Sequence, residues 1–368
     1  MKIGLLITSM NNFGKKGFYN SQEIGLAKEL DKLFDGVIIY KLTHQTERYA
    51  TERVVHCNQT VLKLIPSKSI GINGLLSLKY LDTDIDALIY FSDTQLMVPK
   101  VYKWCKKYDI KLIPYIGVTE SHSNSKIKKT IIDIMFKRNV EIYKKCTCMV
   151  KTPQVAKKLK EYDVVHCEVA PVGLDLSILH TKYTETSIET LKEKWGFERS
   201  DKILLFVGRL VSEKQPVKLI EIFEQIHKKD SNHKLIIIGT GLLLENIKSL
   251  ILKKRLSNSI KIIEKIPNTD IWQLYKISKA FINLNHQEIF GMAILEAMYY
   301  ECKVIAWKAP GPNFIIEHGK NGILCESDKD LVEEALKEDN AMGKASHTRV
   351  IERFTWKATA NVIEGIVG

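Results

Sequence analysis

The sequence predicts an α/β protein made of two doubly wound parallel sheets, and three observations lead to that reading. Short runs rich in Ile, Leu, Val, Phe and Tyr recur through both halves of the chain. Helical stretches of ten or more residues separate them, the pattern of parallel strands covered on both faces. At 368 residues with 45% hydrophobic composition, the chain is long for one domain and comfortable for two.

In the first half the strands read as KIGLLIT from Lys2, GVIIY from Gly36, DALIYF from Asp86, KLIPYI from Lys111 and CTCMV from Cys146. The segment DLSILHTKYTETS, from Asp175 to Ser187, is polar and irregular and reads as a linker. A second series follows: ILLFVG from Ile203, KLIIIG from Lys234, IKII from Ile260, AFINLN from Ala280 and KVIAW from Lys303. This divides the chain into domains at 1–178 and 179–353. Ligands of such sheets lie beyond the C-terminal strand ends, so two facing domains would make a cleft.

Several classes are disfavoured by composition. No apolar run reaches the ~18 residues of a membrane span, and MKIGLLITSM continues as a strand and lacks a signal-peptide cleavage pattern. A cytoplasmic protein is expected. The seven cysteines are odd in number and scattered, which argues against a disulfide framework or a zinc site.

The richest functional signal is the run EIFGMAILE, which holds Glu288 and Glu296 around Gly291. There AFINLNH gives way to the helix GMAILEAMYY, whose first amides, Gly291, Met292 and Ala293, are donors suited to an anion. Glu296 lies roughly 7 Å further along the helix, a distance that suits a ribose attached to that phosphate. Glu288 precedes the turn and faces the other flank. A nucleotide on one side and a sugar on the other would use both carboxylates, though an ordinary strand, loop and helix with solvated glutamates has the same spacing. Upstream, ILLFVGRLVSEKQP places Arg209 and Lys214 between a buried strand and a helix, where two cations would neutralise a diphosphate. The Asp-x-Asp patterns of LDTDIDALIYF, at Asp82, Asp84 and Asp86, precede their strand rather than follow it, the wrong place for a metal bridging a diphosphate.

Taken together, VGRLVSEK, EIFGMAILEAM, APVGLD at Ala170–Asp175, IIIGTG at Ile236–Gly241, IKIIEKIP from Ile260 and the closing RFTWKATANVIEGI resemble glycosyltransferase family 4, the retaining group 1 glycosyltransferases with the GT-B fold. The resemblance implies transfer of a hexose from a nucleotide diphosphate sugar, a UDP-sugar, without a metal or further cofactor. It also implies front-face attack by the acceptor hydroxyl, and a last helix, 354–368, that packs back on the first domain. Arg209 and Lys214 then hold the diphosphate, Glu296 the ribose, and the backbone at Lys265 and Ile266 the base, with Gly208, Phe290, Gly291, Met292 and Ala293 shaping the donor site. Glu288 contacts the transferred sugar.

The first half departs from the family pattern. Where a double glycine is common there is Gly17 followed by Phe18, and Gly17 keeps the phosphate-facing role, with Gly14 a weaker substitute. Where many relatives place a histidine after the strand KLIPYIG, this chain has Ile116 and Gly117, so His122 is the candidate sugar contact and Glu120 its runner-up. A glutamate common in relatives is replaced by Phe314, beside Gly311 and Asn313.

Net charge is +12, and residues 1–185 hold 28 basic against 19 acidic side chains. Within them KIKKTIIDIMFKRNVEIYKK, Lys126–Lys145, reads as a basic amphipathic helix, suited either to a core with a solvated rim or to an anionic membrane. No nucleic-acid-binding pattern accompanies the charge. The acceptor is then a cell-surface glycan, teichoic acid or glycolipid. A nucleotide-sugar epimerase or hydrolase on the same fold, or a donor-binding protein without catalysis, are the rival readings.

Overall fold

The computed structural model describes residues 1–10, 22–44, 51–54, 60–119, 126–179, 181, 183–338 and 341–368. The chain forms two compact units, one from Met1–Gly173 with Thr355–Gly368, the other from Leu174–Phe354.

The first unit contains β1 (Lys2–Ile7), β2 (Gly36–His44), β3 (Thr51–Val54), β4 (Thr60–Ser67), a small hairpin of β5 (Ser69–Ile70) and β6 (Asn73–Gly74), then β7 (Ala87–Phe91), β8 (Lys111–Ile116), β9 (Cys148–Val150) and β10 (Cys167–Val169). Its main sheet runs β10-β9-β8-β7-β1-β2-β4-β3 and is parallel except for β3 against β4. Ile3, Leu5, Leu6, Ile89 and Tyr90 are fully buried, as the apolar runs require of central strands covered on both faces.

The second unit contains β11 (Lys202–Val207), β12 (His233–Ile238), β13 (Ile260–Ile263), β14 (Ser278–Asn283), β15 (Lys303–Trp307) and β16 (Ile323–Cys325). They form a fully parallel sheet in the order β13-β12-β11-β14-β15-β16. Against it packs the helix Pro216–Lys229, which buries Leu219, Ile220, Phe223 and Ile226 at helical spacing. Pro216 opens this helix, where its missing N–H has no partner to lose.

The last helix, Trp356–Val367, belongs to the first unit. Thr355 caps it by accepting from the Ala358 amide, and Trp356, Ala360, Ile363 and Val367 are buried. Thr359 donates to the Pro171 carbonyl at 2.6 Å. Gly173 explains part of the APVGLD motif: a Cβ there would lie 2.1 Å from the Trp356 amide nitrogen, so only glycine lets the returning helix approach.

Three local differences separate the sequence reading from the structure. The strand read as AFINLNH ends at Asn283, whose side-chain oxygen accepts from the Asn285 amide and turns the chain out of the sheet. The linker is not wholly solvated, since Tyr183 is buried and its ring packs edge-on against Tyr300 at 5.2 Å. The aspartates of LDTDIDALIYF have structural partners: Asp82 accepts from Tyr40 and Lys63, while Asp84 and Asp86 take the Lys2 amine and amide.

Candidate functional site

In the second unit the strand order reverses between β11 and β14, the position where open parallel sheets bind ligands beyond their C-terminal ends. The chain leaving β11 gives Gly208 and Arg209, then a 3-10 turn at Ser212–Lys214 closed by Gln215 at φ 57°. The chain leaving β14 gives Asn283, Asn285 and Glu288. Lys214 and Glu288, read from the sequence as separate contacts on a diphosphate and a sugar, meet here: Lys214 Nζ donates to Glu288 Oε2 at 2.5 Å. Asn283 Nδ2 and Asn285 Nδ2 each donate to the same oxygen at 3.3 Å.

Both asparagines also fold the loop. The Asn285 amide donates to Asn283 Oδ1 and the Gln287 amide to Asn285 Oδ1, both at 3.0 Å, which makes two successive side-chain turns. The Gly311 amide then bonds the Glu288 carbonyl at 2.8 Å, and a Cβ on Gly311 would lie 2.1 Å from the Phe290 carbonyl oxygen. The sequence reading missed Asn283 and Asn285. Their signal was an Asn-x-Asn alternation at the end of an apolar strand, residue types that local turns favour.

Gly291 follows at φ 107°, a left-handed conformation open to glycine, and starts the helix Met292–Tyr299 without a side-chain cap. The amides of Met292 and Ala293 therefore have no partner within the helix. Glu296 sits one turn on, where Tyr275 Oη donates to its carboxylate at 2.9 Å. Burial pushes the Glu296 carboxyl up to about 7, against the opposing effect of that hydrogen bond. Tyr275 was not legible as a partner, because only tertiary folding brings the helix Ile271–Ile277 beside Glu296.

The IIIGTG segment packs backbone against backbone on the Gly208 loop. A Cβ on Gly239, at φ 147°, would lie 1.9 Å from the Gly208 carbonyl oxygen, and one on Gly241 would lie 2.4 Å from that of Leu210. Arg209 is exposed and makes no ion pair with a described residue. Lys265 is exposed and Ile266 buried, both just past β13. Phe290 is buried against Phe354, and Phe314 meets the same ring edge-on at 5.3 Å. The position where a glutamate was expected from the resemblance thus makes an aromatic contact.

In the first unit the order reverses between β1 and β7. Thr8 Oγ1 bonds Tyr90 Oη at 2.7 Å and Gln95 Oε1 at 2.9 Å, all buried. Asp93 Oδ1 accepts from the amides of Gly117 and Val118. Beside Gly117 lies the Lys151 side chain, which a Cβ at that position would touch at 2.4 Å. Gly14, Gly17, Phe18, Glu120 and His122 lie outside the described residues.

Two Rossmann-like units with these strand orders define the GT-B fold, and solved structures of that class align over nearly the whole chain. Sucrose-phosphate synthase from Thermosynechococcus elongatus superposes with a TM-score of 0.75 at 16% identity, covering 99% of this chain and 97% of that one. Anabaena Alr3699/HepE, solved in complex with UDP and glucose, superposes with a TM-score of 0.70 at 15% identity, covering 99% and 98%. Residues 187–347 match the family model described as glycosyl transferases group 1. The alpha-monoglucosyldiacylglycerol synthase of Acholeplasma laidlawii is 27% identical over 169 residues, 46% of this chain and 42% of that protein. The chain spans about half the length of the curated relatives it matches. Among the described residues, no helix is long and apolar enough to cross a membrane.

Proposed function

We propose that the protein is a retaining, metal-independent hexosyltransferase of glycosyltransferase family 4, moving a hexose from a UDP-sugar to a cell-surface glycan, teichoic acid or glycolipid acceptor. The observation that supports it most is the Lys214–Glu288 pair, fixed by Asn283 and Asn285 at the reversal of strand order. A diphosphate arriving there exchanges the lysine's carboxylate partner for phosphate oxygens. Lys214, Arg209 and the amides of Met292 and Ala293 then stabilise the leaving diphosphate electrostatically, with fixed donors and no metal. Released from Lys214, Glu288 turns to the hydroxyls of the sugar, oriented by the two asparagine amides. Glu296 takes the ribose, and the backbone at Lys265 and Ile266 takes the base.

The first unit binds the acceptor; Gly17 and His122, both outside the described residues, keep the roles that the resemblance implies, Gly17 for the donor phosphate and His122 for the sugar. UDP as the nucleotude carrier is supported by the HepE complexes, and a lipid acceptor by the glucolipid named for the Acholeplasma relative. The protein works in the cytoplasm, at the inner face of the cell membrane where such acceptors are assembled.

Glu288→Ala tests the reading. Transfer from UDP-glucose should fall at least about a thousandfold, while donor affinity stays level or improves because Lys214 has lost its competing carboxylate. Turnover at the parent rate would falsify the assignment. A thermal-shift series of UDP-, GDP- and ADP-sugars identifies the donor, since a ligand of the folded state raises the melting temperature with its affinity. UDP release or sugar isomerisation without any acceptor, as fast as transfer with one, would favour the hydrolase or epimerase instead.

A further inference from the structure

Beyond the C-terminal ends of β7, β8 and β9 lies a cation that the packing of the first unit does not require. Lys151 directly follows β9, and its amide bonds the Ile116 carbonyl. Its half-buried side chain folds back over the neighbouring strand end, with Nζ 5.5 Å from the centre of the Tyr115 ring. A Cβ on Gly117 would lie 2.4 Å from Lys151 Cδ and 2.9 Å from its Nζ. Gly117 has no positive φ, so its backbone conformation would accept a side chain. What the glycine leaves room for is the lysine.

This ammonium is not neutralised: Lys151 makes no ion pair among the described residues. Asp93, the acid of the same corner, is held at φ 25°, a strained conformation for a residue with a side chain. Its Oδ1 accepts from the amides of Gly117 at 2.5 Å and Val118 at 3.0 Å, which fixes the backbone over which Lys151 lies.

The loop that leaves β7 at Asp93 carries a second cation at its other end. Tyr143 and Asn139 donate to the Asp93 and Gln95 carbonyls, and Arg138 donates to the Leu96 carbonyl at 3.0 Å. Arg138 is exposed and also has no carboxylate partner among the described residues. Burial raises the pKa of the Tyr90 hydroxyl, and the Thr8 hydrogen bond and then the Arg138 charge oppose it, so the guanidinium lies within electrostatic reach of the end of β7. Two cations thus flank a loop whose one acid is bound to backbone. A substrate recognised through hydroxyls alone gains nothing from that excess, whereas an oxyanion on the substrate would meet a partly desolvated ammonium that salt screens weakly. We propose that Lys151, with Arg138 at the far end of the loop, selects an acceptor that carries an oxyanion, a phosphate or a carboxylate. The proposal rests on the reading of the first unit as the acceptor-binding one.

The test is titration calorimetry of the full chain with glucose, glucose 6-phosphate and glucuronate as probes, at about 0.05 M salt and with UDP saturating so that the second unit is closed to phosphate. Both charged sugars should bind at least about tenfold more tightly than glucose, and added salt should weaken them. The tighter of the two names the oxyanion that the site takes. Lys151→Gln should lower their affinity about tenfold and leave that of UDP unchanged, Arg138→Gln should lower it less, and Lys151→Arg should keep most of it. Gly117→Ala displaces the ammonium and keeps its charge, so it should weaken the same sugars about threefold with little change in melting temperature. Equal affinity for glucose and the charged sugars overturns the proposal, as does an unchanged preference in both Lys151→Gln and Gly117→Ala. Failure of UDP to bind would instead overturn the donor reading, because the preference and its loss in Lys151→Gln are read on the first unit alone.

Discussion

The two units place different chemistry at the same topological position. Where the strand order reverses in the second unit, the loops are packed backbone on backbone by Gly239 and Gly241, and a lysine, a glutamate and two asparagines converge. At the reversal in the first unit, Thr8, Tyr90 and Gln95 form a buried neutral network, and Asp93 is committed to two backbone amides. The contrast teaches that the sheet supplies the place and the loops supply the ligand. A charged, close-packed end suits a diphosphate, whereas the buried hydroxyl network and the committed Asp93 of the first unit hold their own strand ends together.

The largest way to break this comparison is Gly239→Ala. Its Cβ would meet the Gly208 carbonyl at 1.9 Å in a left-handed backbone, so a loss of about 3 kcal/mol or more is expected in denaturant unfolding. A change below about 1 kcal/mol would mean that the loop contact is not the constraint. Next, Lys214→Ala should weaken UDP-glucose binding by roughly tenfold to a hundredfold in calorimetry, because Glu288 is left uncompensated beside the diphosphate. Unchanged affinity would move the diphosphate away from this lysine.

A smaller effect concerns Glu296. Its carboxyl rises from an ordinary 4.5 to about 7, so between those pH values the folded chain keeps a proton that the unfolded chain has released. Stability therefore falls as pH climbs through that window. Glu296→Gln should remove the fall and leave the variant more stable at pH 8, by about 2 kcal/mol once partial exposure is allowed for. Parallel melting curves of parent and variant from pH 5 to pH 8 would contradict it. The smallest effect is expected for Gly117→Ala in the first unit. Its Cβ meets only the flexible end of Lys151, so the melting temperature should change by an amount worth about 0.5 kcal/mol or less.

The central strands were legible because they are long enough and buried on both faces, so KIGLLIT, ILLFVG and KVIAW announce themselves by composition. The three-residue strands β10 and β16 carry too few side chains for any period to emerge. Lys214, Glu288 and Gly291 were readable because the site lies where a strand turns into a helix, a local event with local residue requirements. Their contact was not, since a sequence separation of 74 residues is closed only by the sheet. Tyr275 on Glu296 and Lys151 beside Gly117 are hidden for the same reason. Phe314 shows a different limit. The family pattern pointed to a lost polar contact, while the structure has a ring packed on Phe354, which no local pattern encodes.

The loop that presents Glu288 is held by its own asparagine side chains and by the Gly311 amide. Its conformational entropy has been surrendered during folding rather than at encounter. A ligand arriving there does not have to organise that segment, so on the proposed reading the attraction of a phosphate for Lys214 would go into affinity instead of into ordering backbone. The kinetic counterpart expected is an association step that waits on opening the Lys214–Glu288 pair rather than on ordering the loop.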